Sequence, residues 1–292
     1  MKEAFLHYIK TQRKYSLHTL KAYELDLTTL ENFLKTDFDS TLTDASVDMI
    51  RTWVVALLDD GYSRVTIHRK VSSVKSFYNY LVSIGEFAHN PAALVKIPGK
   101  GKKLPVFLSE RQTVMLTETT EFSDDFSGCR DRLIIEIFYQ TGIRRAELVA
   151  LEEAQIDFYN QTIKVTGKRN KQRVIPVQIK LVRLIRDYLK LRNQVVNDNT
   201  NTYLFVTSKG NPIYPKLVYR VVNKYLQIVS TASKKSPHVL RHTFATQMLN
   251  NGADINAVKE LLGHASLSAT QVYTHNTIDK IKSIYKQAHP RA

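Results

Sequence analysis

One segment limits the fold of this chain more than any other: Pro98-Gly99-Lys100-Gly101-Lys102-Lys103-Leu104-Pro105. Proline lacks a backbone donor and glycine lacks a stiffening side chain, so neither helix nor strand runs through it. Whatever packs before it must build its core separately from whatever packs after it. The spacing therefore predicts an N-terminal unit of residues 1–97, a basic linker at 98–107 and a second unit of residues 108–292. At 292 residues the chain is long enough to bury a sizeable core in each.

Residues 1–97 read as four helices with short connections, which predicts a small bundle. The first covers about residues 2–13. The second follows Ser16 as N-cap, with Leu17, Leu20, Tyr23, Leu27, Leu30 and Phe33-Leu34 at helical spacing. The third runs from Ser46 to Leu58 and is stopped by Gly61. The fourth is capped by Ser63, buries Val71, Val74, Phe77-Tyr78 and Leu81, and ends at Ile84-Gly85. The second unit is mixed but mostly helical. Helices are expected at Cys129–Tyr139, ended by Thr141-Gly142, then just after Arg144, and at Leu181–Leu191, Pro215–Ile228, Val239–Leu249 and Asp254–Leu262. Between them Thr162-Ile163-Lys164-Val165 and Arg173-Val174-Ile175-Pro176-Val177 flank a polar turn, Gly167-Lys168-Arg169-Asn170-Lys171, and read as a β-hairpin.

Charge narrows the partner. The net charge is +15, and it is unevenly placed. Residues 1–60 hold seven Lys/Arg against ten Asp/Glu, which leaves 35 against 17 in the rest. Gly61–Gly85 carries Arg64, Arg69, Lys70 and Lys75 with no acid, and Gln161–Val174 carries Lys164, Lys168, Arg169, Lys171 and Arg173 with none. Acid-free basic runs suit a polyanion, because each phosphate neutralised releases condensed counterions. With basic runs in both units and three lysines between them, a clamp on a DNA duplex is expected, one unit on each side. No apolar run approaches the ~18 residues of a membrane span, and the N-terminus has no signal-peptide core. A single cysteine, Cys129, excludes an internal disulfide and a cysteine metal cluster. A cytoplasmic protein without membrane attachment is the expectation.

The chemistry concentrates near the C-terminus. Pro237-His238-Val239-Leu240-Arg241-His242 is followed by Leu261-Leu262-Gly263-His264 and by Tyr273-Thr274-His275, while Thr141-Gly142-Ile143-Arg144 and Gly167-Lys168 lie earlier. Phosphodiester cleavage needs a nucleophile, positive charge for the phosphoryl oxygens and a proton for the leaving oxygen. Arg144 and Arg241 suit the second task, since a guanidinium fork donates two parallel hydrogen bonds and stays charged. His238 and Arg241, three residues apart, share one helix face. Arg144 opens a helix, where backbone N–H groups are also expected to favour an anion. Lys168 at a hairpin tip could protonate a leaving alkoxide, although polar hairpin tips often carry lysine for solubility alone. Tyr273 is one of 15 tyrosines, and a phenol of pKa about 10 is a weak nucleophile. Its value lies in context, nine residues after His264 across a small, polar segment. His238 and His242 have zinc-binding spacing, but Arg241 stands between them and no HExxH glutamate is present, so no metal is expected. Gly167-Lys168 is followed by Arg169 and makes no P-loop, so no cofactor is expected either.

In this order and spacing the chain resembles the tyrosine recombinases, the phage-integrase family, and within it the bacterial XerC/XerD type. Thr-Gly-Ile-Arg144, Gly-Lys168, His238-x-x-Arg241, Leu-Gly-His264 and Tyr273 match the family's six catalytic positions. The resemblance implies a mainly α fold, with a SAM-like core-binding bundle followed by a mostly helical catalytic domain with a small β-hairpin sheet. It implies attack by Tyr273 on a scissile phosphate without metal or ATP, through a 3′-phosphotyrosyl intermediate. Arg144 and Arg241 would hold the non-bridging oxygens, His238 and His264 would assist, and Lys168 would be the general acid. The implied partner is a double-stranded DNA recombination site, with four protomers on two duplexes and a second related recombinase as a possible partner. Two small features differ. Arg169 stands where glycine is common, so Asn170 is expected to take the left-handed conformation. Arg145 directly follows Arg144. Within this chemistry, dimer resolution of the Xer type is expected ahead of mobile-element integration, whose enzymes often add an arm-binding domain. A type IB topoisomerase or a catalytically idle DNA-binding protein are the readings from other classes. The stripe Ile278, Ile281, Ile284 and Tyr285 resembles a C-terminal helix that docks onto a neighbouring protomer; the alternative is that it packs on its own domain.

Overall fold

The computed structural model describes residues 1–97, 99, 106–167, 170–196, 201–232, 235–263 and 275–290, with the side chains of 275–281 excepted. The chain divides into two compact units, Met1–Lys103 and Leu104–Ala292.

The first unit holds α1 (Lys2–Thr11), α2 (Leu17–Phe38), α3 (Val47–Asp59) and α4 (Arg64–Ser83). Three of the starts are set by one device. The hydroxyls of Ser16, Ser46 and Ser63 accept from the backbone N–H groups of Thr19, Met49 and Thr66, each satisfying a donor that the helix leaves unpaired. The apolar faces meet in a core around Trp53, Tyr78, Phe77 and Phe5. Each such side chain contributes about 1.5–3 kcal/mol by leaving water. The Tyr78 hydroxyl is kept from being an orphan by donating to Leu42 O at 2.8 Å.

Two cations of the acid-free run in α4 meet a carboxylate on α2. Asp26 is fully buried, accepts from both Nη atoms of Arg69 and from Ser73 Oγ, and lies 3.5 Å from Lys70 Nζ. Lys75 Nζ donates to Ala93 O at 3.2 Å. Two of the four cations therefore tie α4 to α2, and Lys75 ties α4 to the segment after it, which a count along the sequence could not reveal. Asp26→Ala strands the Lys70 ammonium in the core. Urea unfolding of the full chain, followed by the single tryptophan, Trp53, should show a loss of about 3–5 kcal/mol. An unmoved midpoint would show that the network does not stabilise the bundle.

The second unit begins with α5 (Glu110–Val114), continued by one π-helical turn at Met115–Thr119. α6 (Phe126–Thr141) and α7 (Arg145–Val149) follow, and then β1 (Ile156–Asp157), β2 (Thr162–Thr166) and β3 (Gln172–Pro176). α8 (Ile179–Val195), α9 (Pro215–Val229), α10 (Pro237–Asn250), α11 (Ile255–Leu262) and α12 (His275–Ala288) complete it. β2 and β3 pair antiparallel from Thr162↔Pro176 to Thr166↔Gln172, as the hairpin reading predicts. β1 adds a third strand through Ile156↔Ile163, too short to be seen in the residue pattern. Asn170 takes φ +59°, the conformation expected of it. α6 is buried nearly all round and carries Leu133, Ile134, Ile137 and Phe138 into the core.

The end of α12 packs on its own unit. Tyr285 is buried and donates to Gln140 O at 3.2 Å, its ring stacks on His289 with centroids 4.8 Å apart, and Asn251 Nδ2 donates to Ala288 O at 2.9 Å. Of the stripe expected to reach a neighbouring protomer, Tyr285 is thus held within its own unit; Ile284 is half-buried, and the Ile278 and Ile281 side chains lie outside the described residues. Among the described residues no helix is long and apolar enough to cross a membrane.

Candidate active site

The site is assembled at the C-terminal end of α11. Asp254 caps the start of that helix, accepting from Asn256 and Ala257 N–H, and Gly263 ends it at φ +64°. A helix end exposes carbonyls without intrahelical partners and carries the negative pole of the macrodipole. Here three guanidinium groups take three successive carbonyls. Arg173 Nε donates to Leu261 O at 2.7 Å, Arg241 Nη2 to Leu262 O at 2.7 Å, and Arg144 Nη2 to Gly263 O at 3.0 Å.

Each arginine arrives from a different element. Arg144 is the N-cap of α7, placed there by the left-handed Gly142 that ends α6. A Cβ on Gly142 would lie 2.6 Å from Phe244 Cδ1 and 2.9 Å from Leu262 Cδ2, so only glycine lets α6 stop this close to α10 and α11. Arg241 lies one turn into α10, is 8% exposed, and reaches Gly142 O with its other Nη. Arg173 projects from β3. Arg144 and Arg241, singled out in the sequence 97 positions apart, thus meet through adjacent carbonyls. Carbonyls orient a guanidinium without bringing a full opposing charge. Burial, then the charges of Arg144 and Arg173, push Arg241 down to about 10, which leaves it charged at neutral pH.

Glu147 is a site residue that the sequence reading did not single out. It is buried, accepts from Arg173 Nη1 and Nη2 at 2.9 and 2.8 Å, from Arg144 Nη1 at 2.9 Å, and from the Arg144 backbone N–H at 2.7 Å. Burial would raise its pKa, but the hydrogen bonds and charge of Arg173, with those of Arg144, hold the carboxyl below its usual value. A glutamate three residues after Arg144 was the available signal. The backbone donor at Arg144 is consequently taken by Glu147, so the start of α7 does not offer that N–H to an anion as the sequence suggested.

His238 stands on the first turn of α10, exposed, one turn before Arg241. Partial desolvation, then His242, Arg241, Arg145 and Arg144, lower its pKa below 6.5. Its imidazole therefore favours the neutral form. The unfolded chain takes up this proton first as pH falls through about 6.5, so the group withdraws stability on acidification until the folded imidazole also titrates. An NMR titration of the His238 ring should give a midpoint below 6.5, and Arg241→Ala should raise it by removing one positive neighbour. A midpoint insensitive to that substitution would contradict the assigned cause. Among the described residues no group of three or more His, Cys, Asp or Glu could hold a metal ion.

Lys168, His264 and Tyr273 lie outside the described residues. Their neighbours are placed. Gly167 N–H, directly before Lys168 in sequence, donates to Lys171 O at 2.8 Å. Gly263, whose carbonyl holds Arg144, immediately precedes His264.

Comparison with known proteins agrees across nearly the whole chain. Residues 107–280 match the profile described as "Phage integrase family", and residues 3–85 match "Phage integrase, N-terminal SAM-like domain". The chain is 38% identical to the tyrosine recombinase XerC of Chlorobaculum parvum, over 99% of this chain and 94% of that one. Its fold is similar to that of the XerH site-specific recombinase bound to a palindromic difH substrate. There the TM-score is 0.71 at 22% identity, covering 100% of this chain and 82% of that one. It is also similar to that of a lambda integrase tetramer bound to a Holliday junction, with a TM-score of 0.67 at 17% identity over 91% and 74% of the two chains.

Proposed function

The chain belongs to the phage integrase family of tyrosine recombinases, and from that premise we propose that it cuts and rejoins double-stranded DNA at a specific site with Tyr273 as nucleophile. The observation that carries the reading is the pair of guanidinium groups, Arg144 and Arg241, tied to the consecutive carbonyls of Leu262 and Gly263 directly before His264. Two fixed positive charges at one point are what a phosphoryl group needs when it gains a fifth ligand.

In this reading Tyr273 Oη attacks the scissile phosphorus and the P–O5′ bond breaks. The 5′-oxygen leaves as a hydroxyl with a proton from Lys168, and the 3′-phosphate is left esterified to the phenolic oxygen. Arg144 and Arg241 hold the two non-bridging oxygens. His238 and His264 hydrogen-bond the phosphoryl group and help remove the phenolic proton. The phosphotyrosyl ester keeps the energy of the broken diester, so a 5′-hydroxyl from a second duplex can reverse the step without a nucleotide cofactor. The residues of the first unit, 1–97, act as the core-binding half of a clamp, 98–107 as its linker, and 108–292 as the catalytic domain.

The finer reading is dimer resolution of the Xer type, supported by the identity to XerC over almost the full chain. Four protomers on two duplexes, with or without a second recombinase, and a cytoplasmic location belong to the same reading. The test is a duplex nicked beside the cleavage position, carrying a site that the full chain selects from a random-sequence pool. The short fragment diffuses away after attack and traps the intermediate. A denaturant-resistant adduct that maps to Tyr273 is expected; none on any selected duplex, or one that maps elsewhere, sinks the proposal.

A further inference from the structure

We propose that Arg173 is a positioning residue for strand cleavage: it touches no DNA, and it aligns the segments that carry the reacting groups by clipping Glu147 to the end of α11. The inference deepens the recombinase reading and rests on it. The Arg173 side chain is 4% exposed. Its fork donates two parallel bonds to Glu147 and its Nε donates to Leu261 O. Through these three bonds it reaches three of the site's segments. Glu147 holds both the backbone and the side chain of Arg144. Leu261 is the first of the three carbonyls shared among the guanidiniums, two residues before Gly263. Arg173 itself sits on β3, whose turn carries Lys168.

Charge explains why such a clip is needed. Three guanidiniums meeting at one helix end repel one another, and the half-charge of a macrodipole does not offset three cations. Glu147 is the carboxylate placed between two of them, and burial at 3% exposure makes its pairing strong and its stranding costly. Close approach explains the other side. A Cβ on Gly263 would stand 3.1 Å from Arg173 Nη1 and 3.3 Å from its Cδ. The turn leading into His264 thus lies flat against this guanidinium. If Arg173 is lost, the helix end, Arg144 and the turn no longer share a reference point.

The experiment compares the wild type, Arg173→Met, Arg173→Lys and the pair Arg173→Met with Glu147→Gln. All are full chains on the nicked duplex described above, with affinity and the cleavage rate of the saturated complex measured separately. Arg173→Met is expected to bind the duplex as the wild type does and to cleave about a hundredfold more slowly, the scale of an ångström's misplacement. Arg173→Lys should cleave at an intermediate rate, since an ammonium replaces one contact but not the fork. The double variant removes the stranded carboxylate, so it should melt near the wild-type temperature and still cleave slowly. Wild-type cleavage by Arg173→Met would overturn the proposal. So would parallel loss of binding and cleavage in both methionine variants, which would reduce Arg173 to a structural ion pair. If the wild type itself forms no adduct, the recombinase reading falls and this one with it.

Discussion

In the Tyr273→Phe chain, the selected nicked duplex will be held as tightly as by the wild type, and no covalent adduct will form. The substitution removes one oxygen and leaves the ring, so the charge is unchanged while the proposed nucleophile is gone. The buried tyrosines are no ready substitutes. Burial pushes the Tyr188 phenol up to about 12 and raises those of Tyr78 and Tyr285 well above the usual value. A phenol that resists ionisation is a poor nucleophile. Exposed tyrosines such as Tyr159 and Tyr214 stand on other segments, the β1–β2 turn and the start of α9. Denaturing electrophoresis decides the matter. An adduct of wild-type yield from the phenylalanine protein would mean that another group attacks.

Arg241→Ala will lower the cleavage rate of the bound complex by about 10²–10³, the usual effect of removing one donor that meets developing charge. It will also cost stability. Arg241 is the buried link between Gly142 O and Leu262 O, and leaving buried carbonyls unpaired costs about 1–3 kcal/mol each. The two effects are separable by measuring single-turnover cleavage and urea unfolding on the same protein. Arg241→Lys should recover part of the charge but not the two-carbonyl bridge, because an ammonium has no planar fork. Near-full cleavage by the alanine variant would remove Arg241 from the chemistry.

Much of this was legible along the chain. Ser16, Ser46, Ser63 and Asp254 announce helix starts, and Gly142 and Gly263 announce helix ends, because capping is a local hydrogen-bond problem solved within four residues. The hairpin was legible for the same reason, down to the left-handed Asn170. The motif around Arg144, His238 and Arg241 named the chemistry, since few reactions call for that set. The structural partner of the α4 cations was not legible because Asp26 is 43 residues from Arg69 in sequence. Of the C-terminal stripe, the place of Tyr285 inside its own unit was not legible, because an apolar face does not say which surface will cover it.

What the amino-acid order alone determined is therefore the local and the chemical: where helices begin and stop, where the chain must break in two, and which side chains could take part in phosphoryl transfer. Only the tertiary structure decided how those groups are held. Three arginines from α7, β3 and α10 share the last carbonyls of α11, with Glu147 between two of them. Unsatisfied carbonyls and like charges must be settled wherever distant segments happen to meet, and that meeting is a property of packing, which no window of sequence contains.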